Sequence, residues 1–192
     1  EFIFQAFEHA LQTFKYTAPD REAMSRRIGE PITDLYFAFT ATHKDTPELI
    51  KTHSAFQSRS HHLSEIFPHT LKTLKTLRAR GYKMAAVTTR LRPTAITSLK
   101  NAGLQGFFDT IICGDDVHMH KPDPAPLFKA LKILNEKPEH AVMIGDTHLD
   151  ILAGKNAGTK TIRATYGFHQ EKMHNPTPDY FIDDISELLK IL

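Results

Sequence analysis

The sequence has little cysteine, no long apolar segment and no strong excess of charge, and these shortages exclude several classes of protein. Because Cys113 is the only cysteine, no disulfide can form within the chain, which fits a reducing cytosol. No apolar run approaches the roughly 18 residues that a membrane-spanning helix needs, and no signal peptide precedes the first helical pattern. We therefore expect a cytoplasmic protein with no membrane partner.

The charge is nearly balanced, at 24 lysines and arginines against 22 aspartates and glutamates, for a formal net charge of +2. The basic residues are scattered, so we expect no nucleic-acid partner. The hydrophobic fraction of 41% and the charged fraction of 24% are typical of a soluble globular protein. A length of 192 residues is enough for one ordinary domain with a smaller appendage.

The chain changes character near residue 63. Residues 1–62 contain apolar residues at helical spacing, turn signals such as Pro19-Asp20 and no alternating strand pattern, so they predict a small helical unit. From residue 63 onward, helices alternate with short β-branched runs, which predicts an α/β fold with a doubly wound parallel sheet. The predicted strands are 83–87, 109–113, 141–144, 160–164 and 180–182.

The most informative stretch is 141–150, where four apolar residues predict a strand buried on both faces and Gly145 permits a tight turn. Asp146 lies just past the carboxyl end of that strand, and Asp150 follows four residues later at the start of a helix. Two carboxylates held close repel each other, unless they surround a hard cation such as Mg²⁺. The alternative is that Asp146 and Asp150 cap the following helix.

Polar groups follow two other strands at the same structural position. Thr88 ends one strand, and the loop from Asp115 to Lys121 follows the next. Because the carboxyl ends of parallel strands share one edge, these groups should converge with Asp146. A hydroxyl, a lysine and a carboxylate-bound cation together suit a phosphate. Singly, Thr88 could be a turn residue and Lys121 a solvated charge.

The histidines offer weaker support for a metal site. His118 and His120 alternate in a loop with no second cysteine nearby, a spacing that gives little reason to expect zinc. We interpret them as ordinary surface histidines.

These motifs resemble those of phosphatases of the haloacid dehalogenase superfamily, in the branch of phosphoglycolate phosphatase and PpaX-like pyrophosphatase. The similarity covers nearly the whole chain. The second, third and fourth family motifs are similar to the segments Val87-Thr88-Thr89-Arg90, Lys121-Pro122-Asp123-Pro124 and Gly145-Asp146-Thr147-His148-Leu149-Asp150, and Lys155-Asn156-Ala157-Gly158 continues the fourth.

The resemblance implies a role for each motif residue. Thr88, with Thr89 beside it, would bind phosphate, and Lys121 would brace the phosphate and the nucleophile. Asp146 would ligate Mg²⁺, and Asp150 would belong to the same metal site as its support. Residues 1–62 would form a helical cap that presents its substrate-facing loop at Gly29-Glu30-Pro31, and residues 63–192 would form the core.

The chain departs from the family at the first motif, Asp-x-Asp-Gly-Thr, which supplies the nucleophilic aspartate and the general acid/base. No segment matches it, and Glu1 falls where the first cap helix should begin. We therefore expect a core without its first strand, no phosphatase activity in these 192 residues alone, and self-association through unpaired strands.

Three functions follow from this resemblance. The first is a Mg²⁺-dependent phosphohydrolase that acts through a phosphoaspartyl intermediate on a small phosphate ester resembling phosphoglycolate, or on pyrophosphate. The second is a non-catalytic relative that binds phosphate or a partner. The third is a sugar-phosphate mutase similar to β-phosphoglucomutase.

Overall fold

The computed structural model describes residues 2–60, 65–167 and 176–192. The N-terminal part is helical, and its helices are α1 (Phe2–Thr13), α2 (Arg21–Arg27), α3 (Ile32–Thr40) and α4 (Thr46–Arg59). Their apolar faces form a separate cluster that includes Phe7, Leu11, Met24, Leu35 and Leu49. The predicted boundary between residues 62 and 63 lies outside the described residues and stays a prediction.

The rest of the chain alternates helices and strands, as the sequence predicts. The helices are α5 (Thr70–Ala79), α6 (Arg92–Asn101), α7 (Ala125–Leu134), α8 (His148–Ala157) and α9 (Leu188–Ile191). The strands are β1 (Ala85–Val87), β2 (Thr110–Ile112), β3 (Val142–Gly145), β4 (Lys160–Ala164) and β5 (Tyr180–Ile182). All of the described strand pairs are parallel, so the fold is α/β.

Helices cover both faces of the strands. On one face, α7 and α8 pack against Val87 of β1 and Met143 of β3. On the other face, Leu77 of α5 and Leu188 of α9 pack against alternate residues such as Ile162. This arrangement follows from the two-residue period of a strand, which sends neighbouring side chains to opposite faces. In the described part of the chain, no helix has the length and apolar composition required to cross a bilayer.

The parallel strands form two separate sheets among the described residues, β1 with β2 and β3 with β4 and β5. β1 and β3 do not pair, and a cavity of about 520 Å³ is lined by both of them. The prediction that β3 is buried on both faces is wrong, because all four of its residues are only half-buried. β4, which has a partner on each side, is buried along residues 161–164.

Candidate active site

A cavity of about 390 Å³ lies between the helical part and the carboxyl ends of β1 and β3. It brings together residues that are far apart in the sequence, as expected for one edge of a parallel sheet. The predicted site residues that line it are Gly29, Glu30, Thr88, Thr89, Lys121, Asp146 and Asp150. Pro31, the remaining residue of the predicted substrate loop, is the N-cap of α3 and does not line this cavity.

Lys121 and Asp150 form a buried ion pair in this cavity. Lys121 Nζ lies 2.6 Å from Asp150 Oδ1, and the two side chains are only 9% and 6% exposed. The ammonium also donates a longer hydrogen bond of 3.3 Å to the carbonyl oxygen of Val87. The loop from β2 and the turn after β3 are therefore joined by a charged contact beneath the end of β1.

Asp150 also completes the cap of α8. Thr147 donates to Asp150 Oδ2 from its backbone N–H at 3.0 Å and from its hydroxyl at 2.7 Å, and Thr147 is the N-cap. The capping interpretation of the sequence therefore applies to Asp150, with Thr147 as its partner. Burial acts to raise the pKa of Asp150, but the charge of Lys121 and the hydrogen bonds from Lys121 and Thr147 hold that pKa below its ordinary value.

Gly145 is required for this turn because the Asp150 side chain folds back over it. A Cβ at position 145 would lie 2.2 Å from Asp150 Cβ, a distance that no side chain could accommodate. Gly167 approaches Asp146 as closely, with an equivalent distance of 2.2 Å to Asp146 Cβ. Two glycines thus admit two carboxylates to the same edge of the sheet.

Thr88 and Thr89 form the turn after β1. The Thr88 N–H donates to Ile112 O at 2.9 Å, which extends the pairing of β1 with β2. The Thr88 hydroxyl oxygen accepts a 3.2 Å hydrogen bond from the Arg90 N–H. A Cβ at Gly114 would lie 2.4 Å from Thr89 O, so the loop after β2 packs directly on this turn.

The loop between α2 and α3 reaches the turn after β3 from the helical side. Gly29 has a φ of +110°, and a Cβ on it would lie 3.2 Å from Thr147 Cγ2. Next to it, the Glu30 carboxylate pairs with Arg27 Nη2 at 2.6 Å. The predicted cap loop therefore contacts the start of α8 and forms part of the cavity wall.

His53 and Gln57 of α4 also line the cavity, and neither is predicted as a site residue from the sequence. Together with Leu49 they are buried at four-residue intervals, so they belong to the inward stripe of the helix. Tyr36 Oη lies 3.0 Å from His53 Nδ1, and burial together with the nearby charge of Arg90 lowers the pKa of His53 to about 3. Two polar residues on a buried helical stripe were the available signal.

Two arginines near the site were also missed. Arg90 lines the cavity, and its Nη2 donates to Gln57 Oε1 at 2.7 Å. Arg163 of β4 is only 2% exposed. Burial lowers the pKa of Arg163, and the charges of Asp146 and Asp150 oppose that shift, so its guanidinium lies within the field of both carboxylates.

A second group of acidic residues does not belong to the cavity. Among the described residues, the one cluster of three or more metal-ligating side chains is formed by Cys113, Asp115 and Asp116. Its carboxylates already have partners, because Asp116 pairs with the Arg92 guanidinium and Asp115 accepts from the Arg92 N–H at 2.9 Å. His118, in the following loop, is exposed.

The chain is similar to known proteins over nearly its whole length. The family model for haloacid dehalogenase-like hydrolases matches residues 1–164. The pyrophosphatase PpaX of Anoxybacillus flavithermus is 37% identical over 195 aligned positions, which cover 100% of this chain and 89% of that protein.

Solved structures agree with this similarity. A haloacid dehalogenase-like family hydrolase from Streptococcus pneumoniae superposes with a TM-score of 0.83 at 25% identity, over 98% of this chain and 89% of that one. A predicted phosphoglycolate phosphatase from Haemophilus somnus has a TM-score of 0.87 over 99% of this chain and 90% of that one. At 22% identity, the latter shows that the fold is shared and no more.

Proposed function

Because the chain belongs to the haloacid dehalogenase-like hydrolases, we propose that its cavity binds the phosphoryl group of a small phosphate ester or of pyrophosphate. The observation that carries the proposal is the convergence of Thr88, Lys121, Asp146 and Asp150 on one cavity at the carboxyl edge of parallel strands. Hydroxyl, ammonium and backbone N–H groups are the donors that phosphoryl oxygens accept from.

Thr88 and Lys121 would hold the phosphoryl group between them. Lys121 reaches the cavity as part of the buried pair with Asp150, which fixes its ammonium in position before a ligand arrives. A positioned charge of this kind stabilises phosphoryl oxygens without having to reorganise. Thr89 lies beside Thr88 on the same wall and offers a second hydroxyl.

The site has a suitable ligand for Mg²⁺ in Asp146. Both oxygens of Asp150 already accept hydrogen bonds from Lys121 and Thr147, so we assign Asp146 as the direct ligand and Asp150 as its support. Carboxylate oxygen is the donor that Mg²⁺ prefers, and few protein ligands suffice because the ion retains several waters. When bound, the ion would offset the negative charge of the phosphoryl oxygens.

The attacking group is not among these residues. No Asp-x-Asp-Gly-Thr segment occurs in the 192 residues, and phosphoaspartyl chemistry requires such a carboxylate. We therefore propose that the chain binds phosphate compounds but does not turn them over by itself. The non-catalytic alternative rests on the same observation, and an in-frame Asp-x-Asp-Gly-Thr coding segment upstream in the gene would contradict it. Cytoplasmic location likewise remains a prediction.

Calorimetry with ethyl phosphate in a Mg²⁺ buffer tests the binding proposal. Thr88→Val keeps the side-chain shape but removes the hydroxyl, and we expect it to weaken binding about tenfold, the usual effect of losing a hydrogen bond to a charged group. Lys121→Met with Asp150→Asn removes both charges of the buried pair and should weaken binding further. Lys155→Met, on the exposed side of α8, is the matched control and should bind as the unaltered chain does.

Two results would contradict the proposal. If Thr88→Val bound ethyl phosphate as tightly as the unaltered chain, the phosphoryl group would not bind at this wall of the cavity. Turnover of an aryl phosphate by the 192-residue chain, lost in Thr88→Val, would mean that another carboxylate acts as the nucleophile.

A further inference from the structure

Arg90 presents a positive charge to the cavity that the site as described does not use. Its backbone is fixed in the turn after β1, because the Gly114 N–H donates to Arg90 O at 2.8 Å and the Arg90 N–H donates to the Thr88 hydroxyl at 3.2 Å. Its side chain extends toward α4, where Nη2 meets Gln57 Oε1 at 2.7 Å. Burial lowers the pKa of Arg90, but arginine keeps its proton in proteins, so the side chain is charged.

The other cationic groups around the cavity differ from Arg90 in having an acidic partner. Lys121 pairs with Asp150, and Arg27, which precedes the lining residues Ile28 to Glu30 in the sequence, pairs with Glu30. Within the described ranges, no carboxylate forms an ion pair with Arg90, and its side-chain partner is the neutral amide of Gln57. Burying part of a cation without a counter-charge costs desolvation free energy. Arg90 therefore favours the binding of an anion from outside the chain.

We propose that Arg90 binds a second anionic group of the ligand, a carboxylate or a second phosphoryl group, next to the phosphoryl group held at Thr88. This inference rests on the proposed function and narrows it to small phosphate compounds that carry two anionic groups. Only one residue separates Thr88 from Arg90, so both anionic groups would contact one turn of the chain. A planar guanidinium suits this role because it can donate two parallel hydrogen bonds to a carboxylate or phosphoryl group.

Gln57, on α4 of the helical part, positions the Arg90 side chain. It is only 5% exposed, and its amide oxygen orients the Arg90 fork without neutralising the charge. A carboxylate in its place would occupy the guanidinium and leave less of its charge for a ligand. The helical part would thus set which ligands bind at the edge of the sheet.

The test compares two ligands of similar size that differ in one anionic group. Ethyl phosphate ends in a methyl group, and phosphoglycolate carries a carboxylate at the same position. The readout is the ratio of their dissociation constants, measured by calorimetry in Mg²⁺ buffer, because general effects on phosphate binding cancel in the ratio. We expect the unaltered chain to bind phosphoglycolate at least about tenfold more tightly.

Arg90→Gln should abolish most of that preference, and Arg90→Lys should retain part of it. Gln57→Glu should reduce it as well, although Arg90 itself is unchanged. Arg26→Gln, in which the replaced side chain is exposed on α2, should keep the full preference. Pyrophosphate is titrated as a third ligand. If Arg90→Gln weakens only the binding of pyrophosphate relative to ethyl phosphate, the second anionic group is a phosphoryl group. If it weakens only the binding of phosphoglycolate, the second group is a carboxylate.

The inference would be overturned if neither phosphoglycolate nor pyrophosphate bound the unaltered chain more tightly than ethyl phosphate, or if Arg90→Gln kept both preferences, while ethyl phosphate still bound through Thr88. If ethyl phosphate binding did not depend on Thr88, the proposed function would be wrong, and the inference would fall with it. The two failures are therefore distinguishable in the same set of titrations.

Discussion

Asp146 and Asp150 lie four residues apart and have different surroundings. Asp150 accepts hydrogen bonds from Lys121 and Thr147 and is nearly excluded from solvent. Asp146 precedes the N-cap of α8, lies half-buried and lines the cavity. A carboxylate with both oxygens engaged contributes to structure, so we expect Asp146 to be the direct ligand of a cation and Asp150 to support it.

This difference predicts the outcome of one substitution at each position. Asp146→Asn should abolish Mg²⁺ binding, which in this chain we expect to be weaker than in a relative that has the first motif. His118→Ala should leave Mg²⁺ binding unchanged, because that side chain is exposed in a separate loop. Calorimetry that gave the same Mg²⁺ affinity for Asp146→Asn and the unaltered chain would rule out Asp146 as the ligand.

His53 predicts a pH dependence of stability. Its pKa is lowered to about 3 in the folded chain, whereas an unfolded histidine titrates near 6.5. Between these values the unfolded state binds the extra proton, so the stability that neutral His53 contributes is present above about pH 6.5 and is lost as the pH falls. The free energy of unfolding should decrease by up to about 1.4 kcal/mol per pH unit in that window.

Denaturant unfolding at pH 6.5 and pH 5.0 measures this effect. His53→Gln should flatten the decrease, even if it lowers stability at both pH values through loss of the contact with Tyr36. His118→Gln is the control, since an exposed histidine has no reason to change the slope. Equal slopes for His53→Gln and the unaltered chain would assign the pH dependence to other groups.

At the scale of elements, α8 packs its backbone closely against the sheet at Gly154. A Cβ at Gly154 would lie 2.8 Å from Met143 Cβ and 2.7 Å from Thr161 Cγ2, so the helix backbone rests directly on β3 and β4. The sequence predicts this helix and the turn before it from the apolar run and Gly145. It does not predict the closeness of the packing, because that depends on residues from three elements meeting.

Gly154→Ala should therefore lower the stability of the fold, although alanine has a higher helix propensity than glycine. Within a helix, alanine usually raises the free energy of unfolding by about 0.5–1 kcal/mol relative to glycine. At Gly154, overpacking should instead lower it by about 1–3 kcal/mol. Gly106→Ala is the matched control, because a Cβ there meets no atom within 4 Å. Thermal melts should give a lower melting temperature for Gly154→Ala than for Gly106→Ala, and the opposite order would mean that α8 does not rest on the sheet as described.

For the whole molecule, the sequence predicts the helical beginning and the alternation of strands and helices that follows. It also predicts the residues at the carboxyl ends of β1 and β3, because their position depends only on strand order and direction. It could not predict His53, Gln57 and Arg90 as a group, since their meeting depends on how α4 lies over the sheet. The half-burial of β3 was equally hidden, because local sequence does not reveal whether a neighbouring strand is present.

The two sheets leave a space that the family resemblance explains. β1 and β3 both run parallel to their partners, and each is only half-buried along the cavity between them. In a relative that has the first motif, the strand that carries it would lie between the counterparts of β1 and β3. Among the described residues, β1 pairs only with β2 and β3 only with β4, so each strand leaves one edge and its apolar side chains open as a template for pairing with another chain.

We therefore expect a synthetic peptide with a family-type first strand to bind between β1 and β3. At about 100 times its dissociation constant, such a ligand adds about 2.7 kcal/mol of stability, enough to raise the melting temperature of a chain of this size by about 5–10 °C. Hydrogen exchange should slow at the amides of 83–88 and 141–145, and self-association should decrease in sedimentation. A peptide of the same composition with proline at alternate positions should have neither effect, since it cannot pair on both edges. A cooperative, monomeric melt with those amides already protected would mean instead that β1 and β3 pair directly in solution.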